Sequence, residues 1–177
     1  NAKGKAVNVK YHWKPKLGVQ NLDRHEATCL AGTDPDYLVR DLRDAISRKE
    51  EVEYELNVQL MEIADELKQD FDPLDPTRTW PESKFPLMPV GKMILNRNPE
   101  NFFAEVEQAA FCPASLVPGI EFSADKLLQG RVFSYADTQR HRLGTNYLQI
   151  PINKPVVPVD NNQRDGAMQT GQFSGPV

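Results

Sequence analysis

The chain has 177 residues, 40% of them hydrophobic and 26% charged, with a formal net charge of −4, enough for one domain with a packed core. Its 21 Lys+Arg and 25 Asp+Glu form no long block of one sign, so a nucleic-acid or anionic-membrane partner is not indicated. No apolar run approaches the roughly 20 residues needed to cross a bilayer, and the opening NAKGKAVNVK lacks the apolar stretch of a signal peptide, so the expected setting is cytoplasmic.

Lys5 to Trp13 alternates apolar and polar residues, with Val7, Val9 and Tyr11 on one side, the period of a half-buried strand that Lys14-Pro15 ends. Asn21 to Leu30 predicts a short helix. Thr33-Asp34-Pro35 offers a cap followed by proline, opening a second helix from about Pro35 to Arg48 with Tyr37, Leu38, Leu42, Ala45 and Ile46 on one face. Alternation returns from Val52 to Met61, with Tyr54, Leu56, Val58 and Leu60 on one face, and Val90 to Leu95 is a shorter strand. The 14 prolines gather at Pro73 to Pro89 and Pro151 to Pro158, which predicts extended connections lying over other elements. Asn98-Pro99 introduces a helix from about Glu100 to Phe111, with Phe103, Val106 and Ala110 as an apolar stripe that Pro113 stops. A last helix of about 18 residues is expected with Ser123 as cap, Asp125 at its positive end and Gly144 at its terminus. The tail from Gln169 to Val177 is polar and predicted irregular.

On that last helix RVFSYADTQ, Arg131 to Gln139, sets an arginine four residues before a tyrosine, on one face, and the stripe runs on through Thr138 or Gln139 to Arg142. Spacing alone leaves an ordinary helical Arg–Tyr pair open. The nine residues closely resemble the proximal signature of the haem catalases, and the resemblance runs through NAKGK, HWKP, DPDY, FPLMPVGKMILNRNPENFFAEVEQAAF, LLQGR, NYLQIPIN and NNQRDG without a large gap.

The resemblance implies an α+β, catalase-like fold: part of an eight-stranded antiparallel β-barrel with a wrapping segment and the proximal haem helix, assembled as a homotetramer. Residues 1–177 are then a partial core domain, with later barrel strands, a helical excursion and the start of the proline-rich connection in 1–97. Helices including the proximal one fall in 98–150, and the wrapping tail in 151–177. The implied activity is disproportionation of hydrogen peroxide to water and dioxygen, in the cytoplasm or, in a eukaryote, the peroxisome. A haem-free fragment serving as an assembly module, or a catalase-fold haem enzyme with another peroxide reaction, is the alternative.

In the family's pattern Tyr135 is the axial iron ligand. A phenol keeps its proton at neutral pH, so a phenolate ligand needs a nearby cation, and Arg131 is placed to be one. The resemblance also implies haem contacts for Arg142, with a propionate, and for Phe111, Leu127 and Gln139, where Gln139 stands in place of a histidine of animal-type enzymes. The family's distal histidine, asparagine and serine have no counterpart in 1–177, and His12, His25 and His141 are expected in structural or surface roles. NADPH binding is in doubt: Lys14 matches a family contact, whereas Glu82 replaces a histidine with a carboxylate, a poor neighbour for phosphate. Cys29 and Cys112 lack CxxC spacing and are expected to be reduced structural thiols.

Overall fold

Alternating branched and aromatic residues lay down three strands, β1 (Val7–Pro15), β2 (Val52–Glu62) and β3 (Met88–Leu95), in one antiparallel sheet of order β1-β2-β3. The computed structural model describes residues 4–157, 159 and 163–171, so most of the tail expected to be irregular lies outside them. The chain forms two compact units, residues 1–73 with 77–98 and residues 74–76 with 99–177.

In the first unit, β2 pairs with β1 in continuous register from Val7↔Glu62 to Pro15↔Tyr54. Its pairing with β3 shifts between Leu56↔Gly91 and Asn57↔Pro89, leaving Val90 as the extra residue of a bulge. Pro89 is tolerated because β3 is an edge strand.

The strand alternation is as the sequence predicts, and Val52 and Val58 on the apolar side of β2 are buried, but the most buried residues lie on the polar side. Asn8, Lys10 and His12 pair with Met61, Gln59 and Asn57 on a common face, and Asn57, Gln59 and Met61 are all buried. Of the side expected to be half-buried, Val7 is so, whereas Val9 and Tyr11 are exposed, as are Trp13 and Leu60 on β2.

The cover over the polar face is the first proline-rich connection. Trp80 and Phe85 pack on Met61, with Phe71 beside them, and the two rings meet at 5.5 Å and 55°. Gln59, 1% exposed, donates both amide protons to main-chain carbonyls of this connection, Trp80 at 3.1 Å and Phe85 at 2.5 Å. Its Oε1 then faces His12 Nε2 at 2.8 Å, so that nitrogen carries the proton. Trp80 Nε1 donates to the Pro73 carbonyl at 3.1 Å, and Lys10 Nζ donates to that of Arg78. A polar strand face is covered here because Gln59 and Lys10 meet backbone carbonyls of the proline-rich connection, while Asn8, His12 and Asn57 find side-chain partners.

Helix α1 (Arg24–Thr33) starts three residues later than predicted, because Asp23 and Glu26 form a reciprocal capping box: Glu26 N donates to Asp23 at 2.8 Å and Asp23 N to Glu26 at 2.9 Å. Helix α2 (Tyr37–Ser47) also starts later than Pro35. Asp34 is no cap for it; its carboxylate is bound by the Arg40 guanidinium, which holds Asp34 below the usual carboxylate range, chiefly through the hydrogen bond. Of the face expected to pack, only Ala45 is buried; Tyr37, Leu38 and Leu42 are exposed.

The second unit departs most from its pattern at Glu100–Phe111. Instead of a twelve-residue helix there is a five-residue π-helix, Phe103–Glu107. The Glu105 carboxylate accepts from the backbone N–H of Glu100 at 2.7 Å and of Asn101 at 2.8 Å, closing the turn from inside. Beyond Gln108 the chain leaves the helix, and its backbone is bonded to side chains from elsewhere in the unit.

Helix α3 (Lys126–Leu143) has the predicted 18 residues, but Asp125 rather than Ser123 caps it, accepting from Leu127 N at 2.8 Å. Ser123 instead receives the Gln129 amide through its carbonyl at 2.8 Å. Gly144 ends the helix at φ 104°, where a Cβ would sit 3.0 Å from Ala167 Cβ; both facts require glycine.

Candidate functional site

Four-residue spacing on α3 brings Arg131 and Tyr135 together. An Arg131 Nη2 proton is donated to the Tyr135 phenol oxygen, and the guanidinium carbon lies 5.0 Å from the ring centroid. The phenol is half-buried and Arg131 exposed. One turn before Arg131 on the same stripe, Leu127 is 55% exposed.

One turn beyond Tyr135, Gln139 is buried and donates to the Phe111 carbonyl at 3.2 Å. Its Oε1 accepts from Arg142 Nε at 3.1 Å and Nη2 at 2.6 Å. Arg142 donates also to the carbonyls of Glu107 and Ala109, the latter at 2.7 Å. The Phe111 side chain is 81% exposed.

Six residues singled out in the sequence thus fall into two groups. Arg131 and Tyr135 form a charged hydrogen-bonded pair with Leu127 beside it on the helix; Gln139, Arg142 and the Phe111 backbone form a second cluster. Arg142, expected at a propionate, spends four hydrogen bonds on protein acceptors, leaving at most one of a guanidinium's five N–H groups for another partner. Spacing gave no sign of Asn153, which joins the second cluster: it follows a proline-flanked run, and its partners in that cluster, Ala110 and Gln108, lie more than 40 residues earlier.

A phenol oxygen with a guanidinium as donor is a hard oxygen ligand beside a positive charge, which suits a ferric ion. The exposed apolar side chains of Leu127 and Phe111 are of the kind a flat aromatic macrocycle covers. Among the described residues no group of three or more His, Cys, Asp or Glu is placed to hold a metal ion, and no helix is long and apolar enough to cross a membrane.

The remaining candidates have ordinary surroundings. His25 and His141 are exposed. Cys29, expected as a structural thiol, is exposed with its Sγ 3.7 Å from His25 Nε2, so it fills no core; Cys112 is half-buried, and both are free. Lys14 Nζ lies 3.9 Å from the Glu82 carboxylate.

A family model described as catalase matches residues 1–176. The chain is 59% identical to Catalase HPII of Pseudomonas putida over 96% of its length and 24% of that protein. It is 56% identical to Catalase-2 of Arabidopsis thaliana over 95% of its length and 34% of that protein. A solved structure of a bacterial catalase superposes with a TM-score of 0.94 at 43% identity, over 99% of this chain and 35% of that one. The chain therefore spans about a third or less of these relatives. With the Arg131–Tyr135 pair on α3, a matching family model over nearly all its length and a catalase fold, the chain belongs to the catalase family.

Proposed function

We propose that the protein is a haem-dependent catalase, taking two molecules of hydrogen peroxide to water and dioxygen, and that this chain supplies the proximal side of its haem. The observation that carries the reading is the hydrogen bond from Arg131 to the Tyr135 oxygen. Tyr135 would hold the iron through that oxygen, and the adjacent guanidinium stabilises negative charge on it. Bound haem supplies the two-electron redox chemistry that peroxide disproportionation requires. Leu127 and Phe111 offer apolar contact to the macrocycle, and Gln139 holds the Phe111 backbone. The acid and base groups that handle the peroxide protons are expected outside residues 1–177.

The exposed face of the sheet, with Val9, Tyr11, Trp13 and Leu60 open and edges at β1 and β3, supports an eight-stranded barrel in which other strands cover these residues. We assign 1–97 to its later strands, excursion and connection, 98–150 to the helices around the haem and 151–177 to the wrapping tail. The exposed side of α2, with Tyr37, Leu38 and Leu42, fits the homotetramer of the family. The likeness to catalases favours a cytoplasmic, or in a eukaryote peroxisomal, enzyme. Glu82, 3.9 Å from Lys14, sets a carboxylate against the cation a phosphate would need, so NADPH does not fit these two residues.

The test is oxygen release from hydrogen peroxide by the full-length protein and its Tyr135→Phe variant. Rapid dioxygen evolution, at one molecule for every two of peroxide and lost in the variant, supports the proposal. No dioxygen from haem-loaded protein contradicts it.

A further inference from the structure

From Glu107, the last residue of the π-helix, to Phe111, the backbone groups are bonded one after another to side chains. Arg142 takes the carbonyls of Glu107 and Ala109, Asn153 takes that of Gln108 at 2.9 Å, and Gln139 takes that of Phe111 at 3.2 Å. Asn153 Oδ1 also accepts from Ala110 N at 2.8 Å, and its second amide proton goes to the Tyr147 carbonyl at 3.0 Å. A carboxamide carries the donors and acceptor of a peptide unit, so Asn153 stands in for the neighbouring strand this segment lacks. It thereby ties the segment to the turn that follows α3.

The helix side of this clamp shares its stripe with the phenol. Gln139 lies four residues and Arg142 seven residues after Tyr135, one and two turns along the same face. Rotation of α3 about its axis would carry the phenol sideways, and it would break the bonds from Gln139 and Arg142 to residues 107, 109 and 111. With side-chain tips about 6 Å from a helix axis, each 10° of rotation moves the oxygen about 1 Å, the scale on which a ligand becomes misplaced.

We propose that Asn153, with Gln139 and Arg142, is a positioning residue for Tyr135: the clamp on Glu107–Phe111 fixes the angular setting of α3 and so the place of the phenol oxygen. The proposal rests on the reading of Tyr135 as the haem ligand and assigns Arg142 to this clamp.

The test uses haem-loaded full-length protein carrying Asn153→Leu or Gln139→Met, with Tyr135→Phe as reference. Three quantities are measured: the ferric visible spectrum, the rate of haem loss to haem-free myoglobin, and the thermal unfolding midpoint of the haem-free protein. The clamp predicts shifted ferric bands and haem loss faster by about tenfold, in the range typical of groups that orient a metal's ligands, in folded protein. Wild-type bands and loss rates in folded variants overturn the proposal. So does a lowered midpoint with unchanged bands, since that is a structural role alone. Where Asn153→Leu does not fold, Gln139→Met is decided on the same outcomes. If Tyr135→Phe itself keeps the wild-type spectrum, the ligand reading fails; if only the clamp variants do, the clamp alone fails.

Discussion

Replacing Gln59 by leucine removes the most buried polar side chain that holds the proline-rich connection over β2. Two main-chain carbonyls, those of Trp80 and Phe85, lose their donor, and His12 Nε2 loses its acceptor. A buried polar group left without a partner costs about 1–3 kcal/mol. His12 is only half-buried, and leucine adds apolar contact with Met61 and Trp80 that returns about 1 kcal/mol. The net loss works out at about 1–5 kcal/mol. Urea titration followed by tryptophan fluorescence measures it, in a Trp13→Phe background so that Trp80, 5% exposed, is the reporter. The midpoint falls with unchanged slope. A loss below about 0.5 kcal/mol, the level of an ordinary surface substitution, would refute the claim that Gln59 fastens this segment.

Asp23→Ala removes the half of the α1 capping box in which the Asp23 carboxylate accepts from Glu26 N and lowers stability by about 1 kcal/mol, read by the same titration; Asp23→Asn restores most of it. Glu53 joins three strands' worth of chain, accepting from Lys16 at 3.0 Å and Lys92 at 3.3 Å, and the Lys16 hydrogen bond leads in holding its carboxyl below the ordinary range. That contribution is present above the ordinary carboxylate range and is lost as acid protonates Glu53. The acid limb of wild-type stability is therefore steeper than that of Glu53→Gln, and identical limbs would refute the assignment. Glu82→Gln frees Lys14 and leaves stability within about 1 kcal/mol. It raises affinity for NADPH in a fluorescence titration, most at low salt; an unchanged affinity removes Glu82 as the obstacle.

Much of the chain was legible because its signals are local. Gly144 marks a helix end that positive φ and Ala167 both enforce, whereas the equally local Asp23–Glu26 box was not read, and α1 starts three residues later than expected. The Arg131–Tyr135 pair follows from one helical turn, so sequence spacing was enough to bring it together. What could not be read depends on partners far along the chain. The Glu100–Phe111 pattern suits a full helix, but Asn153, Gln139 and Arg142 compete for its last carbonyls and hold them outside a helix. The covered face of β1 could not be inferred from hydrophobicity, since Gln59 and Lys10 meet backbone carbonyls of a connection that follows β2. Val9, Tyr11 and Trp13 are apolar yet exposed, which periodicity alone does not anticipate.

The central claim is that the Tyr135 oxygen holds haem iron. The ferric visible spectrum of the haem-loaded protein, beside that of Tyr135→Phe, tests it most directly. The account predicts an intense Soret band in the wild type that is lost or strongly shifted in the variant. A Soret band with the same position and intensity in both proteins would mean that another group binds the iron, and would contradict it.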